Sequence, residues 1–171
     1  IDADLASSLK RLLRASGWKK SLRKKHAAIG MGCAITNAGA TPVSVALVRM
    51  QSDGIANIAA GSTEMGQGVR TTLTQIAAEE LTLPMEQFRV AGADTKVTPY
   101  DSSTGSSRST TLMGTAVQKA ARDLKQQLVK IAAQVMAVKP NQIEVADGAL
   151  ICGESRLTFK EAFERRFGKG A

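Results

Sequence analysis

A single histidine, His26, and two cysteines, Cys33 and Cys152, are all that the 171 residues offer of the side chains that most often bind metals. One imidazole excludes a His-based metal site and a Ser-His-Asp triad. Because His26 sits in a basic run, it reads as a solvated surface residue. Two cysteines with no CxxC spacing exclude a disulfide scaffold and a zinc site, and point to a reducing, cytoplasmic setting. Aromatic residues make up only 4% of the chain, so the core must be aliphatic and alanine-rich. No apolar run approaches the length that spans a bilayer, and nothing resembles a signal peptide, so no membrane partner is expected. The chain opens at Ile1 rather than Met, which suggests a piece of something longer.

What is present is ordinary for a globular protein: 43% hydrophobic and 22% charged residues, enough for one domain with a real core. The net charge of +8 is unevenly placed. Lys10, Arg11, Arg14, Lys19, Lys20, Arg23, Lys24 and Lys25 against Asp2 and Asp4 give +6 in the first 25 residues and leave +2 for the other 146. With no interleaved aromatics beyond Trp18, this reads as a solvated helix face or a surface for a neighbour rather than a nucleic-acid site. Residues 1–26 therefore form a basic helix and connector, separate from 27–171.

Leu5, Leu9, Leu12 and Leu13 predict an amphipathic helix over 4–16, with Gly17 as its stop. Residues 27–36 alternate small and apolar and predict a strand, with a turn at 37–40. Residues 43–51 and 55–60 predict a hairpin about Ser52-Asp53-Gly54, with Val43, Val45, Leu47 and Arg49 on one face. After Gly68 the period lengthens to about 3.6 residues: Leu73, Ile76, Ala77 and Leu81 share a face until Leu83-Pro84. A short strand over 88–91 and a loop over 93–103 follow. The strongest pattern is the helical stripe Met113, Val117, Ala120, Ala121, Leu124, Leu128, Ile131 and Val135, ended by Val138-Lys139-Pro140. A second hairpin turns at Asp147-Gly148, and 157–167 predicts a last helix. The order argues for an α+β fold, a mixed and mostly antiparallel sheet covered by helices.

Two small-residue turns each precede a predicted helix. Gly61-Ser-Thr-Glu-Met-Gly-Gln-Gly68 has glycines flanking one glutamine, so backbone can approach a ligand while an amide points at it. It lacks the spacing of a Rossmann fingerprint and the GK[ST] of a P-loop. Ser102-Ser-Thr-Gly-Ser-Ser-Arg-Ser-Thr-Thr111 carries eight hydroxyls, Gly105 and Arg108. Each turn is expected to offer backbone N–H groups to an anion at a helix N-terminus. Arg108 adds a planar donor fork suited to phosphate. Simple N-capping by the hydroxyls is the competing reading, and a solvated Ser/Thr linker the blandest one.

The ordered set Gly61–Gly68, Thr71, Gln75-Ile-Ala-Ala-Glu79, Asp94, Thr98-Pro99, Gly105-Ser-Ser-Arg-Ser-Thr110 and Gly114-x-Ala116-Val117 resembles the molybdenum-cofactor-binding domain of the xanthine dehydrogenase and aldehyde oxidase family. The resemblance runs over about residues 27–155. It implies that 27–171 is part of a larger molybdopterin-binding domain. It also implies a molybdopterin cofactor, commonly the cytosine dinucleotide in bacteria, and a hydroxylation of an aldehyde or N-heterocycle with water as the oxygen source. By position, Gln67 is implied to donate its amide to an oxo ligand of the molybdenum, with Gly66 and Gly68 permitting close approach. Ser106, Ser107, Arg108, Ser109 and Thr110 are implied to hold the pterin and its phosphate.

The resemblance also limits the reading. The family's catalytic glutamate lies in a glycine-containing motif nearer the end of the subunit, and the chain stops before it, so no catalytic residue is expected here. Gly153-Glu154 follows a hairpin strand and does not inherit that role, and Glu64 reads as a surface or supporting carboxylate. The rest of the molybdenum subunit and the iron–sulfur and flavin (FAD) modules are implied as partners on other domains or subunits; no CxxC cluster occurs to hold iron and sulfur. The leading expectation is thus a cofactor-contacting fragment of a molybdenum hydroxylase. The alternatives are a non-catalytic basic module for nucleic acid or an acidic partner, and a purely structural half whose glycine turns are only turns.

Overall fold

The computed structural model describes residues 4–18, 30–34, 43–92, 94–102 and 104–169. The chain divides into two compact units, 1–36 and 37–171. In the first, α1 (Leu5–Ala15) begins at Asp4, whose carboxylate accepts the Ser7 N–H at 2.9 Å. Asp4 thereby satisfies one of the donors a helix start leaves unpaired. No residue of α1 is buried. Of the strand expected over 27–36, residues 30–34 are irregular. Glycine at positions 30 and 32 supplies no side chain to pack and costs backbone entropy in a strand. The remainder of that strand, the basic connector 19–25 and the turn 37–40 lie outside the described residues.

The second unit has α+β architecture, but among the described residues its six strands form two three-stranded sheets rather than one. In the first, β1 (Ala46–Met50) and β2 (Ala56–Ala60) form the expected hairpin, antiparallel with Ala46 opposite Ala60 and Met50 opposite Ala56. The third strand, β3 (Phe88–Val90), returns parallel to β2 after the crossover helix α2 (Val69–Leu81). The Val43, Val45 and Leu47 face points outward, while Ala56, Ile58 and Ala60 are buried on the inner side of β2.

The long helix α3 (Gly114–Met136) packs against β1 and α2. The buried stripe is Met113, just before the helix, then Val117, Ala121, Leu124, Leu128, Ala132 and Ala133, with Ile131 partly buried against the core, so the apolar line holds the 3.6 period. A Cβ on Gly114 would lie 2.8 Å from Ile76 Cδ1, a measure of how closely α2 and α3 approach. Ile58, Leu73, Leu81, Met113, Val117, Leu128 and Leu150 are the largest fully buried side chains. The core is aliphatic and alanine-rich, as the shortage of aromatics requires.

The second sheet is a local meander of β4 (Glu144–Ala146), β5 (Ala149–Cys152) and β6 (Ser155–Thr158). Asp147 and Gly148 both have positive φ, 46° and 66°, as a tight hairpin turn demands. Strand β6 is not expected from the sequence, which assigns Leu157 to the last helix. A second tight turn at Gly153 (φ 57°) folds it back on β5, and these tight connections close the meander on itself. The final helix, α4 (Phe159–Phe167), starts two residues late because Thr158 caps it. The Thr158 hydroxyl accepts the Glu161 N–H at 3.2 Å, and the Glu161 carboxylate accepts the Thr158 N–H at 2.7 Å.

Candidate functional site

The first turn leaves β2 at Gly61 and enters α2 at Val69. Its glycines serve the backbone directly: Gly66 and Gly68 have φ of 96° and 76°, and a Cβ on either would meet nothing within 4 Å. The expected anion seat at the start of α2 is already filled by the protein's own carboxylate. Glu64 accepts the N–H groups of Gly66 (2.9 Å), Gly68 (3.0 Å) and Arg70 (3.2 Å). The hydrogen bonds from Gly68 and Arg70 chiefly, opposed by burial and aided by that from Gly66, hold its carboxyl below the ordinary 4.5. Gln67 is exposed, with its side chain folded over the same turn. Its Oε1 accepts the Met65 N–H at 2.6 Å, and its Nε2 donates to the Thr63 carbonyl at 2.8 Å. One of the two amide hydrogens remains for another acceptor.

The second turn is more strained. Ser106 and Ser107 both adopt the left-handed region at φ 53°, which costs non-glycine residues of order 1 kcal/mol or more each. The helix then opens with a π turn over Ser109–Met113 before regular α3 begins; single π turns within helices are frequent at functional sites. The residue at the helix start is Arg108, whose side chain makes no capping bond.

That side chain instead runs inward. Arg108 is 4% exposed, and its Nη1 donates to Asp101 Oδ1 at 2.6 Å. Its Nη2 donates to the Val43 carbonyl at 2.7 Å and to Ser44 Oγ at 2.9 Å. Asp101 also accepts the hydroxyls of Ser44 (2.8 Å) and Ser62 (2.7 Å) and the Ser102 N–H (2.9 Å). Burial raises the Asp101 carboxyl, but the bonds from Arg108, Ser62 and Ser44 outweigh it and hold the group below the ordinary 3.8. The phosphate fork expected of Arg108 is thus spent on the interior of the protein. In the sequence Asp101 is one residue of the loop over 93–103, Ser62 one of the Gly61–Gly68 stretch, and Ser44 part of the strand predicted over 43–51; none carries a signal of this cluster. A burial pattern so scattered along the chain has no periodic signature.

Forty residues apart in sequence, the two turns meet in space. Gln67 lines one cavity of about 390 Å³ with Ser106, Ser107, Arg108, Ser109 and Thr110. Gly66 and Gly68 flank Gln67 on the same turn. A cleft of this size lined by hydroxyls, an amide and a paired guanidinium is suited to a ligand rich in oxygen and nitrogen.

Residues 6–170 match the model of the molybdopterin cofactor-binding domain. The chain belongs to that family. This molybdopterin-binding domain is 39% identical over 129 residues to the large subunit of nicotine 6-hydroxylase from Paenarthrobacter nicotinovorans, covering 72% of the chain and 16% of the relative. It is 30% identical over 131 residues to the xanthine dehydrogenase molybdenum-binding subunit of Escherichia coli, covering 74% and 17%. Among solved structures, reconstituted CO dehydrogenase from Oligotropha carboxidovorans superposes with a TM-score of 0.65 at 31% identity, over 70% of this chain and 15% of that one. The domain therefore spans about a sixth of the length of the curated relatives it matches. Among the described residues no helix is long and apolar enough to cross a membrane.

Proposed function

We propose that this domain holds one face of a molybdopterin cofactor between the turns 61–68 and 102–110, as part of a molybdenum hydroxylase. The observation that carries the reading is the shared cavity that joins Gln67 to the serine-rich turn. The residues present fit such a group: the lining offers hydroxyls, an amide and a guanidinium whose charge is already paired, and Gly66 and Gly68 leave open space where a side chain would stand. When bound, the cofactor supplies the redox centre at which an aldehyde or N-heterocycle is hydroxylated with oxygen from water.

The chain's own residues bind and orient. Gln67 would offer its remaining amide hydrogen to the metal end of the cofactor. Ser106, Ser107, Ser109 and Thr110 offer hydroxyl and N–H donors to the pterin and its phosphate. Arg108 contributes through the turn it anchors. Glu64 fixes the turn around Gln67 by taking the N–H groups that would otherwise compete for the ligand. No general base is assigned among these residues. Residues 27–171 carry the cofactor contacts and 1–26 form a basic arm. The other partners in this reading are the rest of a molybdenum subunit and iron–sulfur and flavin modules, working in the cytoplasm.

The test is metal and pterin analysis of the purified protein that carries this domain, with activity assays of its Gln67→Ala variant. Molybdenum and a pterin nucleotide are expected in the wild type. Removing one positioned donor should lower kcat by roughly 10²-fold. A folded wild-type protein free of both metal and pterin would overturn the reading.

A further inference from the structure

The strongest feature beside the cavity is the buried cluster of Asp101, Arg108, Ser44 and Ser62, of which Arg108 alone lines it. We infer that Asp101 and Arg108 are positioning residues that clamp the two cofactor-facing turns to one another, so that both present their donors as a single rigid unit. The inference rests on the function proposed above and adds to it a role for two residues whose charges are paired with each other in the interior.

Three observations carry it. First, the pair brackets the serine-rich turn: Asp101 lies just before it and Arg108 at its end, joined at 2.6 Å with both side chains at most 4% exposed. The Ser102 N–H donates to the same carboxylate oxygen at 2.9 Å, so the loop is pinched shut at its base. Second, the same carboxylate reaches the other turn. Ser62, one residue into the Gly61–Gly68 stretch, donates to Asp101 Oδ2 at 2.7 Å. A single acidic group therefore ties together segments whose ligand-facing residues stand forty positions apart. Third, Ser106 and Ser107 sit inside the pinched loop in a left-handed conformation that neither would adopt alone. Such strain persists only where the surroundings over-determine it, and the clamp is the surrounding that does so. The segment before β1 is drawn in too, because Arg108 Nη2 donates to the Val43 carbonyl and Ser44 Oγ. Buried and charged, the pair is costly to form and costlier to break on one side, which is the behaviour of a specificity device rather than a surface contact.

The experiment uses the full protein that carries this domain, with the variants Asp101→Asn, Ser62→Ala and Arg108→Lys. Two quantities are read: amide hydrogen exchange by mass spectrometry, and the rate at which the pterin is released from the folded protein, followed by its fluorescence. Asp101→Asn should speed exchange in both 61–68 and 104–110 while leaving α4 unchanged. It should also release pterin at least about tenfold faster, the factor set by one lost hydrogen bond to a charged group. Ser62→Ala, the mildest change, should loosen both turns to a smaller degree and decides the matter if Asp101→Asn does not fold. Arg108→Lys, which keeps the charge but not the fork, should fall between wild type and Asp101→Asn. Faster exchange confined to one turn would overturn the clamp, and so would loosened turns with an unchanged release rate. If the wild type carries no pterin, the proposed function fails, whereas the exchange arm still judges the clamp.

Discussion

Replacing Gly61 by alanine would place a Cβ 2.7 Å from the Pro99 carbonyl oxygen, 2.9 Å from Asp101 Cβ and 3.0 Å from the Asp101 nitrogen. Comfortable separations between such atoms are about 3.5 Å or more. None of the three atoms can swing aside as the end of a flexible side chain could. The chain at 99–101 must therefore move, and overpacking of this kind costs about 1–3 kcal/mol. The displaced residue is Asp101, whose bonds to Arg108, Ser62 and Ser44 measure 2.6–2.8 Å. Losing one of these adds about 1.5–3 kcal/mol, the range for hydrogen bonds to charged groups. For a chain of this size each kcal/mol shifts Tm by about 2–4 °C, so Gly61→Ala should lower Tm by roughly 5–20 °C. Thermal unfolding followed by circular dichroism measures this, with Gly92→Ala as control. A Cβ there would have only Arg70 Nη2 nearby, at 3.8 Å, and a shift within about 2 °C is expected. A Gly61→Ala protein that melts within about 1 °C of wild type would refute the close-approach argument.

Leu128→Ala, at a fully buried position of α3, should cost about 2–5 kcal/mol in urea unfolding through lost contacts and a residual cavity. Thr158→Ala removes the cap of α4 and should cost about 1 kcal/mol by the same measurement. Asp101 has a folded pKa below its ordinary 3.8, so its stabilisation is complete above that value and is lost as pH falls through the lower folded value. Wild-type urea midpoints should therefore drop below about pH 4 more steeply than those of Asp101→Asn; parallel profiles would count against the ion pair. Glu64 likewise stabilises the start of α2 only while ionised, from above 4.5 down through its lowered folded pKa. Glu64→Gln should speed amide exchange at Gly66, Gly68 and Arg70 at neutral pH, and acid should accelerate exchange in the wild type toward the variant's rate.

Wherever one face of an element is buried, its outline was legible in the sequence. The stripe from Met113 to Leu128 announced α3, and Asp53-Gly54 and Asp147-Gly148 announced two hairpins, because helix period and turn chemistry are local properties. Strand β6 was hidden because Ser155, Arg156 and Thr158 are exposed and Leu157 alone is buried, too little alternation to distinguish from the helix that follows. Its boundary was nonetheless written in Thr158-x-x-Glu161, a capping box. The division into two sheets depends on which strands find each other, and hairpin signals say nothing of that. At the site, the residue types that face the cavity could be named from the two turns, but the partners of Arg108 could not. A guanidinium near hydroxyls and glycines suits a phosphate and a buried aspartate equally well, and only the fold brings the hydroxyls of Ser44 and Ser62 within 3 Å of the Asp101 carboxylate.

The two turns that look alike in the sequence differ in the structure by how their charges are answered. At the start of α2, three N–H groups converge on Glu64, so the partial positive charge of that helix end is neutralised from within. At the second turn the Arg108 cation, although it lines the cavity, is neutralised by the buried Asp101. Both turns thus meet the cavity with their formal charges already paired, and what they present is geometry: an amide at Gln67 and a row of hydroxyls on strained backbone. Counting unpaired N–H groups and nearby cations, the usual route from a glycine turn to an anion site, overstates the electrostatic pull of this cavity. In the function proposed above, selectivity comes instead from how rigidly these donors are aimed, which is why a buried aspartate outside the lining matters to it.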